Sequence, residues 1–172
     1  LDGLRLDATQ QIWDRSARHI LADVVDRARA EAGDKEIVIV AENEVQDRRL
    51  LESQRAGGYG IDALWNDDFH HSAMVATTGR NEAYYRDYLG SPQEFISAAK
   101  YGYLFQGQQY HWQRKPRGSE AWGLSASAFI AFIQNHDQIA NSVRGQRGHE
   151  LTSPGRWRAI TALLLLQPAT PM

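Results

Sequence analysis

Positions 37–41 read IVIVA, an unbroken apolar run in which no polar residue interrupts the β-branched side chains. A strand with one face in water alternates apolar and polar residues, whereas a strand of a parallel sheet is covered on both faces and is apolar throughout. The run therefore predicts a strand inside a parallel sheet.

Three further apolar runs alternate with helical patterns along the chain: LRL at 4–6, ALW at 63–65 and FIAFI at 129–133. Residue spacing and composition predict helices at 13–28, 47–55, 69–78, 81–89, 92–101 and 155–166, and a non-periodic loop at 106–122. Thr152 or Ser153 is expected to cap the last helix, with Pro154 in its first turn. Strands that alternate with helices predict an α/β fold with a mostly parallel sheet.

The chain begins inside a strand-like segment and ends with PATPM at 168–172, which resembles the start of another strand. Three complete β/α units lie between these ends. We therefore expect residues 1–172 to form the later part of a barrel-type catalytic domain, with the N-terminal strands and flanking domains absent. Such a piece would have open sheet edges, so we expect it to be weakly stable, aggregation-prone and inactive by itself.

Composition excludes several classes of function. The 19 Lys and Arg residues against 21 Asp and Glu give a net charge of −2, which predicts no nucleic-acid or anionic-membrane partner. The absence of Cys excludes disulfides and thiolate metal sites and is typical of a reducing compartment, so a cytoplasmic location is expected. The apolar run 159–166 is too short for the roughly 20 residues of a membrane span. The oligomeric state stays open.

Three acids follow apolar runs: Asp7 after GLRL, Glu42 after IVIVA and Asp137 after FIQNH. The carboxyl ends of barrel strands meet at one mouth, so we expect the three side chains to converge there. Two carboxylates that face a sugar are the minimum equipment for glycoside hydrolysis. Taken singly, each acid could instead cap a helix, stay solvated in a loop or form a turn. Arg5 lies two residues before Asp7, hence on the same face of the strand, where it would keep that carboxylate ionised.

The segments DGLRLD, VAE and FIQNHD resemble, in this order, three sequence blocks of the α-amylase clan of retaining glycosidases. The resemblance implies a (β/α)8 TIM barrel, of which this chain would run from the end of strand 4 to the start of strand 8. It implies that Asp7 is the nucleophile, Glu42 the general acid/base and Asp137 a stabilising carboxylate. It further implies that Arg5 orients the nucleophile and that His136 binds a sugar hydroxyl. No cofactor or metal is implied.

Within the clan, the stretches 57–88, 91–110 and 151–172 resemble the malto-oligosyltrehalose trehalohydrolase family. The resemblance implies cleavage of the α-1,4 bond beside the terminal trehalose unit of maltooligosyltrehalose, with release of trehalose. Two alternatives stay open. One is another enzyme of the clan, such as a glycogen branching or debranching enzyme; the other is a carbohydrate-binding relative without catalytic activity.

The segment WNDDFHH at 65–71 combines an aromatic plane with hydrogen-bonding groups, which suits a sugar ligand. Its candidate sugar contacts are Trp65, Asn66, Asp67, Asp68 and His70. Alternatively, Trp65 and Phe69 are core residues and the two Asp cap the next helix; for Phe69 we favour the core. Adjacent His side chains diverge on a helix, so no metal site is predicted.

Four residues in the loop after Asp137 are expected to border the leaving-group side of the cleft: Gln138, Asn141, Arg144 and Arg147. They could equally be solvated loop residues. Tyr84, Tyr85 and Tyr88 are interpreted as packing residues rather than as sugar contacts.

Overall fold

A computed structural model describes residues 2–141 and 145–172. Its main sheet has five parallel strands in the order β1-β2-β3-β6-β7, and a separate two-stranded antiparallel hairpin joins β4 to β5. The strands are β1 Gly3–Leu6, β2 Val38–Ala41, β3 Ala63–Asn66, β4 Gln109–Tyr110, β5 Lys115–Pro116, β6 Phe129–Ala131 and β7 Thr170–Pro171. The parallel sheet predicted from the apolar runs is therefore present.

The helices are α1 Ile20–Ala32, α2 Asp67–Thr78, α3 Pro92–Tyr101, α4 His136–Ala140 and α5 Pro154–Leu166. The Ser153 side chain accepts a hydrogen bond from the backbone N–H of Arg156 at 3.3 Å and caps α5, and Pro154 is its first residue. No helix in the described ranges is long and apolar enough to cross a bilayer.

The two faces of the sheet carry different apolar clusters, because successive side chains of a strand point to opposite faces. On the outer face, Ile39, Leu64 and Phe129 pack with residues of the helices. On the inner face, a smaller cluster consists of Val40, Ala63, Trp65, Ile130 and Phe132. Arg5 pairs in register with Val40 and shares this inner face with Trp65.

Four sequence-based predictions differ from the structure. The helix predicted from position 13 begins at Ile20, and the predicted helix at 81–89 is only a 3-10 turn, Ala83–Tyr85. The predicted helix at 47–55 consists of two such turns, and the segment predicted as a loop contains the β4–β5 hairpin.

One glycine fixes the position of the end of β3. Gly102 has φ +85, and a Cβ there would lie 2.3 Å from the Phe129 ring. Its carbonyl accepts a hydrogen bond from Asn66 Nδ2 at 2.6 Å. Only glycine combines this backbone conformation with so close an approach, so the end of α3 is fixed against the last residue of β3.

Candidate active site

Two of the predicted acids lie side by side at the carboxyl edge of the sheet. Asp7 directly follows β1 and Glu42 directly follows β2, and the last residues of these strands, Leu6 and Ala41, are paired in register. The backbone ladder continues past the strands, since Glu42 N–H donates to the Leu6 carbonyl at 2.9 Å and Thr9 N–H donates to the Glu42 carbonyl at 2.9 Å. Regular pairing of the two strand ends therefore places both carboxylates together.

Arg5 joins the two carboxylates. One guanidinium nitrogen, Nη1, is hydrogen-bonded to Asp7, and the other, Nη2, donates to Glu42 Oε2 at 2.8 Å. The same Glu42 oxygen accepts the backbone N–H of Ala8 at 3.1 Å. The guanidinium carbon lies 4.1 Å from the centroid of the Trp65 ring. Arg5 thus contacts both acids from one side while Trp65 supports it from another.

The two carboxyls have opposite electrostatic surroundings. The hydrogen bond from Arg5 lowers the pKa of Asp7, with further lowering from its hydrogen bond with Glu42 and from the charges of Arg5 and His136. Burial raises the pKa of Glu42, against the lowering influence of the Ala8 N–H and the Arg5 charge. The Asp7 side chain is 72% exposed and that of Glu42 is 23% exposed. The site therefore favours an ionised Asp7 beside a Glu42 that keeps its proton to higher pH.

His136 and Asp137 form the start of α4, at the same edge of the sheet. The Asn135 side chain caps this helix by accepting the Asp137 N–H at 2.9 Å. The His136 ring meets the edge of Trp65 at a centroid distance of 6.3 Å, and its Nε2 lies 3.7 Å from Asp137 Oδ1. Trp65 therefore connects the third sequence block to Arg5, and the charge of His136 reaches Asp7.

Trp65 does not offer the open aromatic plane that was expected. It is only 4% exposed, one face is covered by Arg5, and Phe132 packs against it at a centroid distance of 5.2 Å. Because β3 is an inner strand of the sheet, the indole points into the inner apolar cluster. The core interpretation of Trp65 fits this arrangement, and stacking on a sugar does not.

Asn66 and Asp68 also lie in the interior. Asn66 Oδ1 accepts the N–H of Phe69 at 3.2 Å and caps α2, and Phe69 lies in the core as expected. Asp68 is fully buried and accepts hydrogen bonds from the hydroxyl of Tyr88 at 2.6 Å and from two backbone N–H groups, those of Leu104 and Phe105, at 2.9 Å each. These side chains connect α2 to the following segments, so direct contact with a sugar does not fit their positions.

His70 is likewise enclosed. Its Nδ1 is hydrogen-bonded to the Ile133 carbonyl at 2.9 Å, its Nε2 lies 3.3 Å from the Tyr85 hydroxyl, and its ring stacks on Phe132. Burial lowers the pKa of His70 to about 4, so the ring is neutral near pH 7. The expected sugar contact does not fit this position either. No three carboxylate or imidazole side chains within the described ranges are placed to hold a metal ion.

Among the candidate sugar contacts in the segment 65–71, Asp67 is the one whose side chain remains partly exposed. Its side chain is 18% exposed, and Oδ2 lies 3.7 Å from Nη2 of Arg117. Burial raises the pKa of Asp67 to about 7; the charge of Arg117 acts against this, and those of Asp68 and Glu42 add to it. Asp67 therefore lies close enough to Glu42 for the two charges to interact.

Sequence reasoning missed Arg117, which lies just after β5. Its side chain is 1% exposed, it lies 3.4 Å from Asp68 and 3.7 Å from Glu44, and its guanidinium covers the Tyr110 ring at 4.9 Å. The only signal in the sequence was the number of acids at 42–44 and 67–68 without a neighbouring cation. Because the segment 113–117 lacks periodicity, no pattern predicted that its last Arg would be buried.

A cavity of about 500 Å³ lies beside Gln138. Its walls combine amide and tyrosine side chains, and include Tyr84, Tyr85, Gln134, Gln138 and Asn141. Gln138 Oε1 also accepts a hydrogen bond from the backbone N–H of Asn135 at 3.1 Å, so its amide oxygen caps the start of α4. Arg144, which was also expected here, lies outside the described residues.

The chain is similar over its whole length to curated relatives named malto-oligosyltrehalose trehalohydrolase. The relative from Saccharolobus solfataricus is 36% identical over 172 residues, which are 100% of this chain and 30% of the relative. The relative from Deinococcus radiodurans is 35% identical over 177 residues, covering 99% of this chain and 28% of the relative. The chain thus spans about 30% of the length of these relatives. No family model matches the chain.

A solved structure shows the same fold. The crystal structure of a Salmonella typhimurium protein assigned provisionally to the alpha amylases superimposes with a TM-score of 0.90 at 38% identity, over 99% of this chain and 30% of that one. The fold prediction is therefore confirmed: the chain is an α/β segment of an α-amylase-type (β/α)8 barrel.

Proposed function

Because this chain is related over its whole length to malto-oligosyltrehalose trehalohydrolases, we propose that it carries the catalytic acids of a retaining glycoside hydrolase. The substrate would be maltooligosyltrehalose, an α-glucan oligosaccharide, cleaved at the α-1,4 bond beside its terminal trehalose unit. The observation that carries the proposal is the Arg5 guanidinium in contact with both Asp7 and Glu42, whose pKa values shift in opposite directions.

In the first step of the proposed reaction, ionised Asp7 attacks the anomeric carbon while Glu42 donates its proton to the glycosidic oxygen. The C–O bond to trehalose breaks, trehalose leaves, and a β-glycosyl ester forms on Asp7. In the second step, Glu42 removes a proton from water, and the water oxygen displaces Asp7 from the anomeric carbon. The products are trehalose and a maltooligosaccharide, and Glu42 regains its proton.

The bridge through Arg5 supports retention rather than inversion. Retaining enzymes hold their two carboxyls about 5–5.5 Å apart, whereas inverting enzymes leave roughly 6.5–9.5 Å for a water molecule. Two carboxylates that contact the same guanidinium are held close to each other, which favours the shorter separation of a retaining enzyme. We therefore propose that the product keeps the α configuration.

The remaining polar side chains at this edge would bind the sugar. We propose that Asp137 and His136 bind hydroxyls of the glucose ring that is attacked, because both lie at the start of α4, where the His136 ring meets Trp65. Asp67 would accept a hydrogen bond from a sugar hydroxyl near Glu42. We assign the cavity beside Gln138 to another sugar unit of the substrate, because amides are suited to hydroxyl groups. Tyr84 and Tyr85, interpreted from the sequence as packing residues, line the same cavity and would offer their rings to a sugar face.

A second candidate is another enzyme of the clan that uses the same acids on unmodified glucans. The similarity to the Salmonella typhimurium protein supports it, because that protein is assigned provisionally to the alpha amylases. The two candidates differ in the sugar that occupies the leaving-group side, so substrate choice separates them.

The test uses a chimera in which these 172 residues replace the matching segment of the Saccharolobus solfataricus relative. Maltotriosyltrehalose and maltopentaose are supplied separately, and the products are followed by chromatography. We expect trehalose release from the first substrate to exceed cleavage of the second. A folded chimera that cleaves maltopentaose equally well would favour the second candidate, and one that cleaves neither would contradict both.

A further inference from the structure

We propose that Trp65 is a positioning residue: its indole face fixes the Arg5 guanidinium in the place where it contacts both Asp7 and Glu42. The inference rests on the proposed function for the roles of the two acids. It assigns to Trp65 a purpose other than contact with the sugar, since the ring is 4% exposed and already covered.

The geometry begins with three adjacent strands. Arg5 on β1 is in register with Val40 on β2, and Val40 is in register with Ala63 on β3. Trp65 lies two residues beyond Ala63 on the same face, so its ring stands on the inner side of the sheet towards the carboxyl edge. The Arg5 side chain extends across β2 to bring its guanidinium carbon to 4.1 Å from the ring centroid.

Arg5 needs such a support. Its side chain is 31% exposed, and its two anionic partners are Asp7, which is 72% exposed, and Glu42, which is 23% exposed. A long side chain held only by partly solvated ion pairs keeps much of its rotamer freedom and gains little from them. A flat aromatic face beneath the guanidinium restricts the plane in which its N–H groups point.

Trp65 can serve as that support because it is itself immobilised. Phe132 packs against it at 5.2 Å and the His136 ring meets it at 6.3 Å. The next residue of β3, Asn66, is fully buried and bonded to the Gly102 carbonyl. The ring is therefore held by contacts that do not involve Arg5.

The charges around the two acids determine what loss of the support would do. Asp7 faces Arg5, Glu42 and His136; Glu42 faces Arg5, Asp7, the Ala8 N–H and the charge of Asp67. Arg5 is the cation that faces both carboxyls, and it lowers the pKa of each. A guanidinium that drifts from this place should therefore let both pKa values rise.

The test compares Trp65→Met, which removes the ring and keeps an apolar side chain, with Trp65→Phe, which keeps a smaller ring. Leu64→Val is the matched control, because it alters core packing at the neighbouring residue of β3 on the opposite face. The pKa of Asp7 is measured in each variant of the chimera by NMR titration of ¹³C-labelled carboxyls. The pH dependence of kcat/KM is measured in the chimera.

We expect Trp65→Met to raise the pKa of Asp7, to move the acidic limb of the pH profile upward and to lower kcat about five- to tenfold with a smaller change in KM. These effects correspond to losing one partly buried cation–π contact. Trp65→Phe should give an Asp7 pKa between those of Trp65→Met and the original chain. Leu64→Val should leave both the Asp7 pKa and the acidic limb of the pH profile unchanged. An Asp7 pKa that is the same in Trp65→Met as in the original chain would overturn the inference. An inactive unsubstituted chimera would instead contradict the proposed function, and the NMR titration would still decide the role of Trp65.

Discussion

At the scale of single residues, Asp7 is the side chain whose chemistry the proposal depends on most. Replacing it by Asn removes the nucleophile with little change of shape, so turnover by the chimera should fall by about 10³-fold or more. Binding of maltotriosyltrehalose, measured by calorimetry, should persist. Asp2→Asn is the matched control, because Asp2 is 94% exposed and pairs with Lys35 away from the site. Undiminished turnover in Asp7→Asn would exclude it as the nucleophile.

The two pKa shifts also predict a pH profile. Asp7 must be ionised, so activity should disappear as pH falls through its pKa, which lies below the ordinary 3.8. Glu42 must be protonated in the first step, so activity should disappear as pH rises through its pKa, which lies above 4.5. In Glu42→Gln, an aryl glucoside with a good leaving group should react without the basic limb in its first step, measured as the burst of released phenol. A basic limb that survives in this variant would assign it to another group.

The positions of the candidate site residues differ in how far the sequence alone could predict them. Asp7 and Glu42 were predictable, because each follows the end of a regular strand and strand pairing alone brings the ends together. Trp65, Asp68 and His70 were not, because the same residue types serve a sugar site or a buried network equally well. Only side-chain packing distinguishes the two, and it depends on distant residues such as Arg117, Tyr88 and Phe132.

At the scale of elements, the first two residues of α2, Asp67 and Asp68, are acids in different environments. Asp68 is buried with several donors, so Asp68→Asn should destabilise the fold by about 3–5 kcal/mol, as removal of a buried charge partner does. In Asp67→Asn the cost should be much smaller, because that side chain is partly exposed and makes a longer contact with Arg117. Chemical denaturation of both variants gives the comparison. Equal losses of stability would show that the two acids are not distinguished by burial.

The burial of Asp67 also predicts a pH dependence for Asp67→Asn. The folded pKa of about 7 lies above the ordinary 3.8, so the folded state binds the additional proton and stability falls as pH rises between these values. Asparagine cannot ionise, so the stability of the variant relative to the original chain should increase as pH rises between these two values. The gain should level off above pH 7.

The start of α1 shows why one helix was predicted too long. Apolar spacing continues back to Trp13, but the Asp14 carboxylate accepts the N–H of Ile20 at 2.6 Å and that of Ser16 at 2.9 Å. His19 Nδ1 accepts the N–H of Leu21 at 3.2 Å and caps the helix. Short polar side chains compete in this way with helical hydrogen bonds, so periodicity alone overestimated the helix. The α5 cap was predictable because its Ser-Pro pair leaves no such competition.

At the scale of the whole molecule, apolar side chains are exposed on the outermost elements of the open sheet. Leu165 is 63% exposed and Leu166 is 85% exposed on α5, and Ile20 on α1 is 45% exposed. Open strand edges and exposed apolar patches promote association. We therefore expect the 172-residue chain to self-associate with rising concentration in sedimentation experiments and to lack turnover. Leu165→Lys with Leu166→Lys should reduce the association, and a monomeric, fully active chain would refute this expectation.

The parallel sheet was predictable from the order of strands and helices, and the resemblance to the α-amylase clan implied the barrel, whereas the β4–β5 hairpin was not predictable. Each of its strands has only two residues, too few for any periodicity, and it is held by contacts such as the Gly118 N–H to the Val45 carbonyl at 3.0 Å. Long-range contacts of this kind bring Arg117 to within 3.7 Å of Glu44. They leave no pattern in the local sequence.

The most direct test of the central claim is to trap the covalent intermediate. The chimera is incubated with 5-fluoro-α-D-glucosyl fluoride, which forms the glycosyl ester and slows its hydrolysis, and peptides are mapped by mass spectrometry. We predict one added glycosyl group, on the peptide that contains Asp7, and none in Asp7→Asn. A label on Glu42 or Asp137, or turnover of the natural substrate with inversion, would contradict the assignment.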